Sequence, residues 1–130
     1  MQVYQYSNST ETWLQLGQDL NGEASSDFFG VSVDLSADGH ALAVGAFLND
    51  GSGVDSGHVR VYEYKHDAGQ WLQLGQDVNG EAAGDRFGFS VALSANGGVV
   101  ASGGFYNDAN GIQSGQVRIF GSSVSLPSPP

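Results

Sequence analysis

Apolar and polar positions alternate along this chain in short runs, and no segment repeats its apolar residues at helical spacing. Phe29, Val31, Val33 and Leu35 recur at every second position, which predicts a half-buried strand. Asp38-Gly39 supplies a turn of the kind that joins neighbouring strands. The next run, Ala41 to Phe47, is almost wholly small or apolar, and the run His58 to Tyr64 alternates Val59 and Val61 with polar neighbours. Between these two expected strands, residues 49–57 crowd Asn, Asp, Gly and Ser together, so only a loop is plausible. Trp71 to Gln76 completes a set of four strands.

The set occurs twice. Trp13 opens WLQLGQDLNGEA and Trp71 opens WLQLGQDVNGEA, an offset of 58 residues (71 − 13). Aligned at that offset, residues 13–62 and 71–120 share 30 identities in 50 positions, too many for composition alone. Four short antiparallel strands in a repeat of this length describe one β-propeller blade. In this frame Val3 to Tyr6 answers to Val61 to Tyr64 as a third strand, Trp13 to Gln18 is a fourth, and Val117 to Phe120 is a third strand with no fourth after it. The expected organisation is a partial blade over 1–18, a complete blade over 19–76, a three-stranded partial blade over 77–120, and a Ser/Pro-rich tail or linker over 121–130.

The pairs Phe29-Gly30 and Phe87-Gly88, followed by Gly45-Ala46-Phe47 and Gly103-Gly104-Phe105, resemble the FG and GAP halves of FG-GAP repeats, the blades of integrin α-subunit propellers. Phe stands where the family usually has Pro. The wording around these pairs is similar to FG-GAP-related arrays in secreted or surface proteins of algae and bacteria. The resemblance implies an all-β fold of two tandem 58-residue FG-GAP-like blades with about nine antiparallel strands. The propeller is incomplete and has open edges, since closed rings need about four to eight blades. It also implies an extracellular or cell-surface location and a non-enzymatic role.

Composition sharpens this picture mainly by exclusion. Four Lys and Arg stand against 14 acidic residues, a formal charge of −10 that repels phosphate backbones and attracts cations, so nucleic acid is excluded as a partner. The chain has no cysteine, hence no disulfide and no thiolate metal site, and no apolar run long enough for membrane insertion as a helix.

Candidate chemistry is sparse. Asn49, Asp50 and Asp55, with Asn107, Asp108 and Asn110 in the second copy, gather oxygen ligands among glycines, as calcium requires; the competing reading is turn chemistry, with side chains serving the backbone. Glu23 and Asp27 recur as Glu81 and Asp85, and repetition points to blade packing rather than to a catalytic pair. His40, His58 and His66 each fall on a non-His residue in the other copy, namely Gly98, Gln116 and Asn8, with no zinc-type spacing. Asn8-Ser9-Thr10 is an N-glycosylation sequon. No nucleophile elbow or phosphate-cradling loop is present, so no catalytic residues are assigned.

Unfinished blades leave strand edges that template pairing with another chain. The expected assembly edges are Val3, Tyr4 and Tyr6 at one end and Val117, Ile119 and Phe120 at the other. The expected function is an extracellular structural or adhesion module that self-assembles head to tail by strand complementation into a filament or ring. Its main partners are other copies of the chain, with protein or glycan ligands as further partners. The alternative is a calcium-dependent binding segment of a larger surface propeller.

Overall fold

A computed structural model describes residues 1–121; the remainder of the Ser/Pro tail lies outside the described residues. The described chain is all-β, with ten strands in three antiparallel sheets and no closed barrel. Strands β1 (Tyr4–Ser7) and β2 (Thr12–Gln15) form a hairpin. The central sheet has the order β3 (Ser32–Leu35), β4 (Ala41–Ala46), β5 (His58–Lys65), β6 (Gln70–Gln73), and the short β7 (Val78–Asn79) returns to pair with the start of β5. The last sheet joins β8 (Val91–Leu93), β9 (Val99–Gly104) and β10 (Gln116–Gly121). The two-residue β7 adds to the expected four strands of this blade, because a strand that short leaves no periodicity to read.

Core sits on both faces of the central sheet. Leu42 pairs with Tyr62 and faces the N-terminal hairpin with Val44, Trp71 and Leu20, while Ala43 pairs with Val61 and faces the second repeat with Val59, Phe87 and Val100. Burial from both sides explains why β4 is apolar at nearly every position instead of alternating.

The repeat serves as its own control for what blade stacking does. In the central blade Val59 and Val61 are 0% and 9% exposed; their counterparts Val117 and Ile119 in β10 are 71% and 69% exposed, where no further blade among the described residues covers them. At the other end, Val91 and Leu93 of β8 pack into the interblade core, whereas their counterparts Val33 and Leu35 of β3 are 51% and 46% exposed. Of the expected strand Phe29 to Leu35 only Ser32–Leu35 is extended, since Phe29 and Gly30 lie in a turn, and the apolar side of β3 is half covered. The inner side of β3 is polar and meets the second blade: the Ser32 hydroxyl donates to Gly88 O at 2.8 Å, and the Asp34 carboxylate accepts from Leu93 N at 2.6 Å. Register is the same in both copies, Val91 lying opposite Ser102 and Leu93 opposite Val100, so the difference comes from what covers that face. Val33 lies opposite Val44 and Leu35 opposite Leu42, on the face covered only by the hairpin β1–β2.

Phe47 and Phe105, equivalent in the two copies, join Phe89 in a row of rings across the two blades. Phe47 stacks edge-on with Phe89 at 5.2 Å between centroids, and Phe89 with Phe105 at 5.0 Å.

Candidate functional site

The joint between the two blades is built from the Phe-Gly pair of one and the Gly-Ala pair of the other. Phe87 is buried in the interblade core, and Gly88 turns with φ 94° so that its carbonyl lodges against Gly45 and the Ser32 hydroxyl. A side chain at Gly45 would collide with that carbonyl. Gly57 and Gly80 make comparably close approaches, to Phe87 and Ser56 backbone atoms. Small residues recur here because two backbones touch.

The N-terminal hairpin is tied to the central blade by Gln18. Its amide accepts from Trp71 N at 2.9 Å and donates to Trp71 O at 2.7 Å, taking the place of a pairing strand. The Trp71 indole donates to Leu16 O at 2.9 Å. Its counterpart Trp13 is 66% exposed, against 2% for Trp71, where no blade among the described residues covers it.

Around the loop that follows β4, polar residues form a network. Asn49 is buried and its amide donates to Glu23 at 2.6 Å and Asp27 at 2.9 Å, while its carbonyl accepts from Gly51 N at 2.9 Å. The second copy repeats all three bonds: Asn107 donates to Glu81 and Asp85 and accepts from Ala109 N. Asp50 accepts from the backbone N–H of Asp55, and Asp108 from that of Gln113; both acceptor loops hold a left-handed residue there, with φ 56° and 54°. The side chain at that position is not what the loop needs, which is why Asp55 is free to become Gln113. Asn110 is exposed. Thus Oδ1 of each of Asn49, Asp50, Asn107 and Asp108 accepts from backbone, and among the described residues Asp50, Asp55 and Asp108 join no group of three acidic or histidine side chains close enough to share an ion. Replacing Asn49 with Ala is expected to cost about 1–3 kcal/mol by stripping donors from buried Asp27, read as a lower midpoint in urea unfolding.

Arg60 is the residue of this region that periodicity does not reveal. Its guanidinium bridges Glu23 at 2.8 Å and Asp77 at 2.8 and 3.0 Å, and the Arg60 hydrogen bonds hold the Asp77 carboxyl below its ordinary range. Buried His58 lies 3.7 Å from Asp77 and has no hydrogen-bond partner on either ring nitrogen; burial holds it below the ordinary histidine range. In the second copy Arg118 lies over Phe87 and Phe120 instead. The signal available in the sequence was the shared Val-Arg dipeptide at 59–60 and 117–118.

Residues 21–62 match the family model of the FG-GAP repeat. Those residues are an FG-GAP repeat. The second copy carries the same FG-GAP wording at the offset of 58, over residues 79–120. No curated protein matches the chain. FG-GAP repeats are binding or structural modules rather than catalytic ones, and they typically occur in extracellular or surface proteins. The two halves of the FG-GAP signature meet across the joint, Gly88 against Gly45, so the motif marks blade contact rather than a reaction centre.

The remaining expected positions fall as follows. Asn8 stands exposed in the β1–β2 turn. Tyr4 and Tyr6 lie on β1, which pairs with β2 on one edge, and Val117, Ile119 and Phe120 lie on β10, which pairs with β9 on one edge. Among the described residues the second edge of each strand is unpaired.

Proposed function

We propose that this chain is an extracellular or cell-surface structural module that assembles head to tail, each open end taking an FG-GAP blade from another copy. The observation that carries this reading is the contrast between Val59 and Val61, sealed by the next blade, and Val117 and Ile119, bare on an otherwise equivalent sheet. At the opposite end Val33 and Leu35 offer the complementary surface, already seen at work as Val91 and Leu93 inside the chain. A joint between copies therefore reuses a contact the molecule makes once. The interface is heterologous, so it leads to a ring or an open filament according to the rotation per copy.

The repeat frame adds a constraint. A joint that copies the internal one has room for a single third strand, yet β10 of one copy and β1 of the next both occupy that place. One is displaced as the joint forms, and β2 of the incoming copy closes the sheet as its fourth strand. A calcium-dependent binding role has less behind it, since among the described residues Asp50, Asp55 and Asp108 join no close group of three acidic or histidine side chains.

Sedimentation and electron microscopy over a concentration series test the proposal. The expected result is growth of rings or filaments with concentration, and a monomer of unchanged circular dichroism when Val117 and Ile119 are both changed to Asp. A chain that stays monomeric throughout the micromolar range would overturn it.

A further inference from the structure

We infer that His40 and His66 form a two-histidine clamp for a divalent transition metal of the zinc, nickel or copper class. The register of the central sheet creates it. Ala41 pairs with Glu63, so His40 falls opposite Tyr64, and the Tyr64 N–H donates to His40 O at 2.8 Å. His66, two residues beyond Tyr64, is the diagonal neighbour of His40 on the same face. The two Nε2 atoms lie 3.2 Å apart, within hydrogen-bonding distance, so in the metal-free chain one ring donates to the other, and a bound ion takes the place of that shared proton. With metal–nitrogen bonds of about 2.0–2.1 Å, that separation subtends an angle of about 100° at a shared ion, near the tetrahedral value. The ring centroids are 4.6 Å apart and the ring planes cross at 79°, so the rings meet at an angle rather than lying end to end.

The surroundings favour ligation. Both histidines are exposed, so an ion reaches them without the chain opening. The Asp38 carboxylate lies 3.6 Å from His40 Nδ1, on the far side of the ring from Nε2. That distance is longer than a hydrogen bond, so the carboxylate acts on the ring through its charge, which favours the proton on Nδ1 and the lone pair on Nε2. Asp38 is itself held in place, accepting from the Ser36 hydroxyl at 2.8 Å and from His40 N at 2.9 Å. The pair stands at the mouth of a cleft of about 190 Å³ lined by Val3, Tyr4, Tyr6, Trp13 and Leu35, which supplies no competing cation. Imidazole nitrogens select zinc, copper or nickel over calcium and magnesium, and water completes the coordination sphere. The net charge of −10 raises the local concentration of any cation.

The other histidine-containing group, Glu23, His58 and Asp77, is less suited to an ion. Its carboxylate oxygens already hold Arg60, and a metal would have to displace that guanidinium.

Titration of the full chain with zinc chloride by calorimetry, and with copper(II) followed by electron paramagnetic resonance, tests the clamp. The expected result is one ion per chain and a copper spectrum split by two imidazole nitrogens. His40→Ala and His66→Ala are each expected to weaken zinc binding at least tenfold while leaving the metal-free melting temperature unchanged, as both side chains are exposed. Asp38→Asn should weaken it by about tenfold and keep both nitrogens in the spectrum, since it acts only through His40. Calcium should not compete. Binding that survives the double His40→Ala, His66→Ala change, or that is lost in His58→Gln and kept in His40→Ala, would overturn the assignment. The Val117→Asp, Ile119→Asp chain should still bind zinc, which separates a failure of the clamp from a failure of assembly.

Discussion

Trp71→Ala is expected to remove about 3–5 kcal/mol of stability, whereas Trp13→Ala, at the same place in the repeat, should cost the monomer under about 1 kcal/mol. The two tryptophans open nearly identical strings, so propensity and local sequence are held constant. What differs is cover. The Trp71 ring packs with Leu20, Leu42, Val44 and Tyr62 and donates its indole N–H to Leu16, so truncation leaves a cavity and an unpaired carbonyl. The Trp13 ring meets Tyr6 edge-on at 5.4 Å and otherwise faces solvent. A domain of this size has roughly 5–15 kcal/mol in hand, so the first change brings the chain close to its unfolding threshold at ambient temperature. Urea titration of both variants at a concentration that keeps the chain monomeric checks the contrast. Equal losses would show that the Trp13 face is covered in solution.

The second large effect is a change of sign between two glycines. Gly45→Ala should destabilise the chain at or above the upper end of the about 1–3 kcal/mol typical of overpacking, because the new methyl meets the Gly88 carbonyl, a backbone atom that cannot swing aside. At Gly103, the counterpart in β9, the nearest atoms to a new methyl are Ser90 Oγ at 3.7 Å and Gln116 O at 3.9 Å. Gly103→Ala should therefore stabilise the isolated chain by about 0.5–1 kcal/mol, the usual gain for removing a strand glycine from open surroundings. It should also block the joint between copies, since Gly103 would there play the part that Gly45 plays inside the chain. A variant that melts higher and yet no longer assembles is an outcome that few other mechanisms produce. Parallel melting curves and sedimentation measure both halves.

Much of the fold was legible from the residues. The offset of 58, the four strands of the central blade and the half-blade starting at Val3 all follow from alternation and repetition, because side chains in a strand must point to opposite faces and because a repeated sequence meets the same constraints twice. The turn reading of Asn49 and Asp50 was available too, as Asn and Asp satisfy nearby backbone in either copy. Less legible was which side of β3 would be covered. Val33 and Leu35 carry the same apolar signal as Val91 and Leu93, but burial depends on whether a neighbouring blade is there, and no local pattern records that.

The candidate sites divide in the same way. Repetition marked Glu23 and Asp27 as packing residues, and the structure joins both to Asn49. It did not mark Arg60 as the bridge between Glu23 and Asp77, residues separated by 54 positions (77 − 23), nor His40 and His66 as neighbours across two strands. By itself, then, the sequence determined the all-β blade-like pattern and its repeat, since those rest on period-two alternation and identity at a constant offset. Only the tertiary structure decided which of two equivalent surfaces is sealed, which glycine touches a carbonyl and which histidines meet. These are relations between residues far apart in the chain, set by register and stacking rather than by any residue's own preference.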